Sequence, residues 1–527
     1  MTSVPVLIVG AGPTGLVLAL SLARRGIPFR IISDDHGPGE HSRAVVVHAR
    51  TLEFYDQFGF ADEVVAGGIK AEATHIRRAD DHGHIAEVVQ ANFADLGEGL
   101  SAYPFLLSYP QDDHERFLVA KLAELGVQIE WNTRLIGFTQ TSGGVSAEIA
   151  RADGPEMVEV AYICGCDGAH SQVRHSLGIG FPGGTYDQRF YVVDARIAGG
   201  FKPDFFVTLG ESILALMLPV RSSGMQRLIG IVPPNLIDKP DLSFEDIREP
   251  VERLTGIRIE EVNWFSAYKV HHRVADRFQQ GRAFLLGDAG HIHSPAGGQG
   301  MNTGIGDAIN LGWKLAHVIE GRAPPSLLDS YEEERLPFAH SLIATTDSAF
   351  NRVVDGGWRG QVIRRFIAPL GAHLATRFTW SRHAAFRLVS QIRLNYHGSS
   401  LSAGEVGGVV AGDRLPWTGA VAMDNFASLR SLDWQAHCYC AQPSTLHSVC
   451  AELGLPLKCF PWTEALVGTG IERDTCYLVR PDGYVALASA NDGAGKAIES
   501  YAAGRGLTLA PPHEGLRGAL QATGRLS

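Results

Sequence analysis

The chain begins with a strand–turn–helix–strand unit that allows few folds. The stretch "VPVLIVGAGPTGLVLALSLARRGIPFRIISDD" predicts a strand over Val4 to Val9, a helix over Thr14 to Arg25 and a second strand over Pro28 to Ile32. Apolar residues recur three and four positions apart along the helix segment, and Gly26 ends it. This arrangement predicts the first βαβ unit of a Rossmann-like parallel sheet.

The turn between the strand and the helix spells G-x-G-x-x-G at Gly10, Gly12 and Gly15. Gly10 allows the sharp turn, Gly12 lets a pyrophosphate approach the backbone, and Gly15 lets the helix pack on the strand. The helix N-terminus offers free N–H groups and partial positive charge to the phosphates. Asp34 follows the second strand at about the distance expected of the acid that binds a ribose hydroxyl. The unit predicts a dinucleotide site and leaves NAD and FAD both open.

Composition excludes several classes of protein. A chain of 527 residues suggests about three domains. The formal net charge of −11 argues against a nucleic-acid partner, because no basic field is present to hold phosphates. No early apolar run is long enough to cross a membrane or to act as a signal peptide. Seven cysteines in a chain of this size do not suggest a disulfide framework, which favours a cytoplasmic setting.

Three further stretches follow in a fixed order and identify the kind of dinucleotide. They are "SRAVVVHARTLEFYDQFG" at 42–59, "YICGCDGAHSQVRHSLGI" at 162–179 and "GRAFLLGDAGHIHSPAGGQGMN" at 281–302. With the glycine turn, they resemble the FAD-dependent aromatic hydroxylases, the single-component (class A) flavoprotein monooxygenases that include p-hydroxybenzoate and phenol hydroxylases. The resemblance covers most of residues 4–340. It implies FAD as the cofactor and NADPH or NADH as a transient reductant.

The resemblance also implies which residues hold FAD. The family usually has Glu where this chain has Ser33, and Asp34 follows one position later, so either residue could reach the ribose. Arg43 lies near the flavin and its phosphates, and the backbone of Leu135 meets the adenine. The complete set of cofactor-binding residues is Gly10, Gly12, Thr14, Gly15, Asp34, Arg43, Gln111, Leu135, Asp167, Asp288, Pro295, Gly298, Gly300, Met301 and Asn302.

The resemblance further implies that two short motifs support the flavin itself. Asp167 and Gly168 form the family's D-G motif, which supports FAD and is linked to NAD(P)H use, with Arg174 closing the pattern. Asp288 resembles the aspartate of the family's G-D motif, which is expected to take a ribityl or ribose hydroxyl, and the segment 295–302 is expected to wrap the isoalloxazine ring. The main chain of Pro295 is expected to position the ring for catalysis.

The implied reaction is hydroxylation of a phenolic or polycyclic aromatic substrate by O₂, through a flavin C4a-hydroperoxide. The flavin carries out the oxygen chemistry, while the protein supplies position, electrostatics and exclusion of water. Two alternatives remain open at this point. One is Baeyer–Villiger or another oxidative modification of an aromatic polyketide, and the other is a flavin-binding protein without catalysis.

Individual side chains allow several interpretations. His48 is a candidate base for ionising a phenol, although it can equally cap or pack the helix that follows. Tyr103, Tyr109 and Tyr191 are possible substrate contacts, with buried core positions the favoured interpretation. His291 and His293 lack further ligands nearby in sequence, so we expect packing and hydrogen bonding rather than a metal.

The expected fold class is α/β with three units. A Rossmann-like FAD-binding domain takes 1–179 and 266–395, a β-sheet substrate domain takes 180–265, and a thioredoxin-like α/β domain takes 405–527. The last unit should contain a hairpin turning at 481–483, and it resembles the C-terminal domain of phenol and polyketide hydroxylases. It has no C-x-x-C, so bracing or a homodimer contact is favoured over a redox role.

Overall fold

The computed structural model describes residues 4–40, 44–80, 82–199, 202–210, 213–220, 224–294, 296–354, 371, 373–374, 377–419, 421–440 and 444–512. The helices in these ranges are α1 (Pro13–Ala23), α2 (Ala49–Gln57), α3 (Ala61–Gly67), α4 (Phe93–Leu96), α5 (Gln111–Glu124), α6 (Gln172–Ser176), α7 (Phe244–Thr255), α8 (Gln299–Ile319), α9 (Asp329–Val354), α10 (Thr379–Val389), α11 (Ser444–Glu452) and α12 (Asn491–Arg505).

The strands in the same ranges belong to six sheets. In chain order they are β1 (Val6–Val9), β2 (Phe29–Ile32), β3 (Val46–Val47), β4 (Ile69–Ala71), β5 (Ala73–Ala79), β6 (Ile85–Asn92), β7 (Leu106–Ser108), β8 (Arg134–Gln140), β9 (Val145–Arg151), β10 (Gly154–Val160), β11 (Tyr162–Gly165), β12 (Gly183–Ile197), β13 (Phe205–Leu209), β14 (Leu214–Val220), β15 (Met225–Ile231), β16 (Ile259–Val274), β17 (Gln279–Gln280), β18 (Ala283–Leu285), β19 (His291–Ile292), β20 (Glu405–Val406), β21 (Val409–Val410), β22 (Gln435–Tyr439), β23 (Leu457–Phe460), β24 (Thr475–Val479) and β25 (Val485–Ala490).

The N-terminal sheet has the order β17-β18-β11-β1-β2 and is parallel except at β17. Every residue of β1 is buried, as expected of a parallel strand covered on both faces. The predicted strand–helix–strand unit is confirmed, with bounds that differ by one or two residues from β1, α1 and β2. Helices α1 and α8 pack together beside this sheet, because Gly312 leaves room for Ser21.

A second, eight-stranded sheet has the order β19-β16-β12-β15-β14-β13-β5-β6 and is antiparallel except between β13 and β5. Successive side chains of a strand point to opposite faces, so the sheet has two different surfaces. On one face, Val193 and Leu228 pack in one cluster with Ile247 of α7. On the other face, Leu216 and its neighbours pack against the start of β3 in the N-terminal unit. We call this second surface the inner face.

The mixed α/β class is confirmed, whereas the domain boundaries stay a prediction. Strands β5 and β6 lie within the first predicted unit, yet they pair with the sheet of the second. Two smaller sheets, β10-β9-β8 and β3-β7-β4, complete the N-terminal part.

The C-terminal sheet has the order β23-β22-β24-β25, with β22 and β23 parallel and the other pairs antiparallel. Helix α11 connects the parallel pair, and α12 follows the hairpin. The predicted hairpin is confirmed: β24 and β25 pair on either side of 481–483, where Gly483 has a φ of 77°. This topology agrees with a thioredoxin-like domain, which remains a prediction.

The same hairpin docks into the N-terminal unit through buried charges. Arg480 donates two hydrogen bonds to Glu334 of α9, at 2.6 and 3.0 Å, and also pairs with Asp482. Lys314 of α8 donates to the same carboxylate at 2.8 Å. The side chains of all four residues are at most 1% exposed, so the C-terminal hairpin contacts α8 and α9 through buried ion pairs.

Candidate functional site

The glycine turn after β1 is shaped by the backbone that surrounds it. Gly10 has a φ of 105°, and a Cβ added there would lie 2.3 Å from the carbonyl oxygen of Cys166. A Cβ on Gly15 would lie 2.0 Å from the carbonyl oxygen of Gly10, so both positions exclude any side chain. Gly12 is different, because a Cβ there meets nothing within 4 Å. The turn is therefore tightly packed on the protein side and open at Gly12, which fits a pyrophosphate at the start of α1.

The end of β2 distinguishes two neighbouring candidates for the ribose contact. Ser33 is buried and donates a hydrogen bond to Oδ2 of Asp35 at 2.9 Å. Asp34 is exposed. Of these two candidates, only Asp34 therefore has a side chain that reaches outward from this strand end.

Gln111 and Leu135 flank the same region. Gln111 begins α5 and donates from Nε2 to Oε1 of Glu115 at 2.8 Å. The other oxygen of Glu115 accepts from the backbone N–H of Gly39, which ties α5 to the loop after β2. Leu135 lies on β8 and is 3% exposed within the main core.

Asp167 is half-buried beside the glycine turn. Its Oδ2 accepts a hydrogen bond from the backbone N–H of Val173 at 3.1 Å. Its Oδ1 is buried but has no hydrogen-bond partner among the described residues. Burial raises the pKa of the carboxyl, against the hydrogen bonds that lower it. A buried acceptor without a partner is costly, so this atom fits a ligand that donates to it.

Arg174 joins the two predicted motifs. It donates to the carbonyl oxygens of Ala169 and Ala289, at 2.8 and 2.9 Å, and stacks on Phe181. The D-G segment and the G-D segment are therefore held side by side.

Asp288 follows β18 directly after Gly287. Its neighbours Gly287 and Ala289 are buried, whereas its own side chain is exposed. Burial nevertheless raises the pKa of this carboxyl, because protein surrounds it on most sides. Thr14 of α1 lies directly beneath, since a Cβ on Gly287 would be 2.7 Å from its Oγ1. The position fits a hydroxyl donor entering along the glycine turn.

The segment before α8 forms a turn that only glycine adopts without strain. Gly297 and Gly298 have φ values of 75° and 64°, in the left-handed region. Asn302 fastens this turn, because its Nδ2 donates to the carbonyl oxygens of Gly298 and Val46, at 2.9 and 2.8 Å. Its Oδ1 accepts from the backbone N–H of His48 at 2.9 Å. We call residues 296–302 the flavin turn.

The remaining predicted residues of this segment have simple surroundings. A Cβ on Gly300 would meet only the ring of His293, at 3.7 Å, and Met301 is half-buried against the main core. Pro295 and Arg43 lie outside the described residues.

A buried ion-pair network beneath the flavin turn was not predicted from the sequence. Asp307 of α8 accepts from Arg335 at 2.6 Å, from His291 at 2.7 Å and from the backbone N–H of Gly287 at 2.9 Å. Burial alone would raise the pKa of Asp307, but Arg335 and His291 hold it below its usual range. His291 thus has the hydrogen-bonding role expected of it. Asp307 lies in the sequence directly after the glycine-rich third motif, but nothing local indicates its partner on α9.

The inner face of the eight-stranded sheet and the flavin turn both contact Val46. Phe205, Leu216 and Ile229 are half-buried on this face and belong to one cluster with Val46. A Cβ on Gly298 would be 3.0 Å from the Cβ of Val46. Val46 therefore contacts both the flavin turn and the inner face of the sheet. The geometry places an apolar surface beside the turn predicted to hold the flavin ring.

The candidate tyrosines lie elsewhere. Tyr191 packs in the cluster with α7 on the opposite face of the sheet. Tyr109 is 6% exposed, and Tyr103 is half-buried against the main core. These positions agree with the structural interpretation of the tyrosines.

His48 supports the flavin turn from below. It is 0% exposed, and its Nε2 lies 3.1 Å from the carbonyl oxygen of Gly298. Burial lowers the pKa of this imidazole to about 4, against the carbonyls of Gly298 and Gly297, which raise it. A group with so low a pKa is a weak proton acceptor near neutral pH.

Acid is expected to destabilise the protein partly through His48. An unfolded histidine has a pKa of about 6.5, so between about pH 4 and 6.5 the unfolded chain binds more protons than the folded one. The free energy of unfolding is therefore unaffected by His48 above that window and decreases as the pH falls through it. The decrease is about 2 kcal/mol from about pH 7.5 to about pH 5. Urea unfolding of the wild type and of His48→Asn at both pH values measures this difference. Between the two pH values, the free energy of unfolding should fall by about 2 kcal/mol less in the variant than in the wild type. Equal decreases would contradict the lowered pKa of His48.

The described residues lack both a metal-binding cluster and a membrane-spanning helix. They contain no group of three or more His, Cys, Asp or Glu side chains arranged to hold a metal ion. They also contain no helix with the length and apolar character needed to cross a membrane.

Comparison with known proteins places the chain in a family. A family model described as an FAD binding domain matches residues 3–346. A flavin-dependent monooxygenase of Mycobacteroides abscessus is 33% identical over 504 residues, which cover 92% of this chain and 96% of that protein. Pentachlorophenol 4-monooxygenase of Sphingobium chlorophenolicum is 32% identical over 428 residues, covering 78% of this chain and 75% of that one.

The solved structures agree with these relatives. The anhydrotetracycline hydroxylase of Streptomyces rimosus superposes with a TM-score of 0.74 at 28% identity, covering 96% of this chain and 99% of that one. The glycine turn, the D-G and G-D segments and the flavin turn all lie within the range of the matched family model. The chain therefore belongs to the family of FAD-dependent aromatic monooxygenases.

Proposed function

We propose that this protein hydroxylates a phenolic or polycyclic aromatic compound, with FAD as cofactor, NAD(P)H as reductant and O₂ as co-substrate. The observation that carries the proposal is the position of Val46. It contacts the flavin turn at Gly298 and the apolar inner face of the eight-stranded sheet. A flat ring held between these two surfaces would lie directly over the flavin.

The residues at the glycine turn, the end of β2 and the D-G and G-D segments would fit FAD. Gly12 is open where a pyrophosphate needs the backbone, Asp34 and Asp288 present carboxylates to hydroxyl groups, and Asp167 has a buried oxygen to satisfy. We propose that FAD is held by the set predicted from the sequence, namely Gly10, Gly12, Thr14, Gly15, Asp34, Arg43, Gln111, Leu135, Asp167, Asp288, Pro295, Gly298, Gly300, Met301 and Asn302.

When bound, FAD supplies the electron transfer and oxygen chemistry of the reaction. The protein's own part is to position and to exclude water. The backbone of the flavin turn, held by Asn302 and His48, gives a rigid floor without side chains that would block the ring. The inner face covers the substrate side with aliphatic and aromatic groups, which keep water from the reacting centre.

The character of the inner face supports an aromatic substrate. Phe205, Leu216 and Ile229 offer a flat apolar surface that suits ring stacking. Asp194 and Arg227 form a buried, two-pronged ion pair on neighbouring strands of the same face, at 2.6 and 2.7 Å. This pair gives the surface one polar location for a hydroxyl or carbonyl substituent. Pentachlorophenol and anhydrotetracycline, the substrates named for two relatives, are both phenolic.

Domain division, location and assembly belong to the same proposal. We propose the domain division 1–179 with 266–395, 180–265 and 405–527, a cytoplasmic protein and a homodimer, with bracing as the main role of the C-terminal unit. The support for bracing is the buried contact of Arg480 with Glu334. NADH and NADPH both remain open as the reductant.

Purified protein is expected to be yellow, to oxidise NAD(P)H slowly alone and to oxidise it faster with a suitable phenol or polycyclic aromatic compound. A panel of such compounds should be scored by product mass, peroxide formed and NAD(P)H consumed. A product heavier by one oxygen atom, formed in step with NAD(P)H consumption, supports the proposal. Protein that stays colourless after refolding with FAD would overturn it.

The same panel separates the alternatives. A ring ester or lactone, seen by NMR of the product, would instead indicate a Baeyer–Villiger reaction. A yellow protein whose NAD(P)H oxidation responds to no compound in the panel would indicate flavin binding without monooxygenation.

A further inference from the structure

Gln391 has a backbone conformation that its side-chain type rarely adopts. It follows Ser390, the C-terminal cap of α10, and has a φ of 62°. Glycine is the usual residue at this position after a helix, because a Cβ makes the left-handed conformation costly. Three other non-glycine residues in the described part of the chain have a positive φ, namely Asn132, Leu432 and Asp474. Other interactions of Gln391 must therefore offset the energetic cost of its left-handed backbone.

The compensation is a set of buried side-chain contacts. Nε2 of Gln391 lies 2.5 Å from Oε1 of Gln299, 3.0 Å from Oγ1 of Thr303 and 3.4 Å from the carbonyl oxygen of Gln299. Gln299 in turn donates to the carbonyl oxygen of Val389 at 3.3 Å. Gln391, Gln299 and Thr303 are 9%, 6% and 1% exposed. These polar groups are therefore held by one another rather than by solvent.

The partners of Gln391 form the first turn of α8. Gln299 follows Gly298 directly, and Thr303 donates to the carbonyl oxygen of Gln299 at 2.9 Å. The neighbouring carbonyl of Ser390 accepts from the backbone N–H of Arg50 at the start of α2, at 3.2 Å. The short segment 389–391 thus forms hydrogen bonds with the starts of α2 and α8. Asn302 connects the same two helix starts.

We propose that Gln391 is a positioning residue for the flavin, and this rests on the proposed function. Its amide holds the first turn of α8, and with it the flavin turn, in the place that the isoalloxazine ring requires. The strained backbone is retained because only a long amide at 391 reaches Gln299 and Thr303. Gln391 itself acts through the turn and touches neither the flavin nor the substrate.

A merely structural role for this residue makes the opposite prediction. If Gln391 were an ordinary helix terminus, Gln391→Gly would relieve the strained φ, stabilise the protein and leave the flavin unchanged. If it positions the turn, the same substitution should alter the flavin even where the protein becomes more stable. Stability and flavin properties therefore separate the two interpretations.

The test uses the full-length holoprotein with Gln391→Gly, Gln391→Asn and the control Asp474→Gly. Asp474 has a φ of 58° and lies in the C-terminal unit, so its substitution relieves similar strain away from the flavin turn. We expect Gln391→Gly to raise the dissociation constant of FAD about tenfold, through loss of the amide contacts. It should also shift the flavin absorption bands and the reduction potential, and increase the share of NAD(P)H electrons lost to peroxide. Gln391→Asn keeps the backbone tolerance but is too short, and should change the flavin in the same direction.

Asp474→Gly should match the wild type in every flavin measurement. Gln391→Gly with wild-type FAD affinity, spectrum, potential and peroxide yield would overturn this proposal and leave the proposed function intact. A wild-type protein that does not bind FAD would overturn both.

Discussion

Replacing Glu334 by glutamine is expected to lower the free energy of unfolding by about 3–5 kcal/mol, the usual cost of removing one partner from a buried ion pair. Glu334 is 0% exposed on its side chain and accepts from Arg480, Lys314, Asn310 and Ser399. Burial would raise the pKa of this carboxyl, but Arg480 and Lys314 hold it well below its usual range. The glutamine side chain would keep the shape of the original and leave two buried cations without their shared anion.

The loss should be seen in urea unfolding near neutral pH, with the surface variant Glu245→Gln as control. Glu245 pairs with Arg248 but is 70% exposed, and solvent-exposed pairs of this kind contribute little to stability. The contribution of Glu334 to stability should decrease in acid. A carboxyl whose folded pKa is lowered stabilises the fold above its unfolded pKa and loses that effect as the pH falls through the folded one. Similar losses in Glu334→Gln and Glu245→Gln would show that the buried network does not brace the C-terminal unit.

Replacing Gly12 by valine is expected to abolish FAD binding while leaving the apoprotein folded. A Cβ at Gly12 meets no protein atom within 4 Å and the φ there is −74°, so a side chain can be attached there without backbone strain. The added methyl groups would occupy the space where the pyrophosphate must approach the start of α1. We expect at least about a hundredfold weaker binding, roughly the loss of the phosphate contacts.

Gly137→Val is the matched control, because a Cβ there also meets nothing within 4 Å and it lies on β8, away from the glycine turn. Flavin absorbance after gel filtration and the circular dichroism of both apoproteins measure binding and folding separately. Yellow Gly12→Val protein with wild-type affinity would remove the glycine turn from the proposed FAD site. Unfolded Gly12→Val protein would contradict the open surroundings of this position.

Much of the fold near the N-terminus was predictable because its signals are local. The spacing of Gly10, Gly12 and Gly15 follows from contacts within one turn and with the adjacent strand. The hairpin at 481–483 was equally predictable, since Pro-Asp-Gly specifies a turn from neighbouring residues alone. The dinucleotide-binding fold could therefore be predicted from local backbone requirements, and the family could be predicted from the short motifs.

The supports of the candidate site were not predictable in the same way. Asp307 pairs with Arg335, and Gln391 with Gln299, across 28 and 92 positions of sequence. No periodic pattern indicates such a pair, because it depends on how two helices come to lie against each other. The choice between Ser33 and Asp34 is similar, since the sequence offered both and the structure buries only Ser33.

By itself, the sequence determined the parallel sheet, the cofactor class and the family, because each depends on residues close together in the chain. Only the tertiary structure decided that the inner face of the eight-stranded sheet and the flavin turn both contact Val46. It also decided that Arg480 of the C-terminal hairpin pairs with Glu334 of α9 across 146 positions. Both contacts depend on the packing of whole elements, and packing is a property of the folded surfaces rather than of any short stretch of sequence.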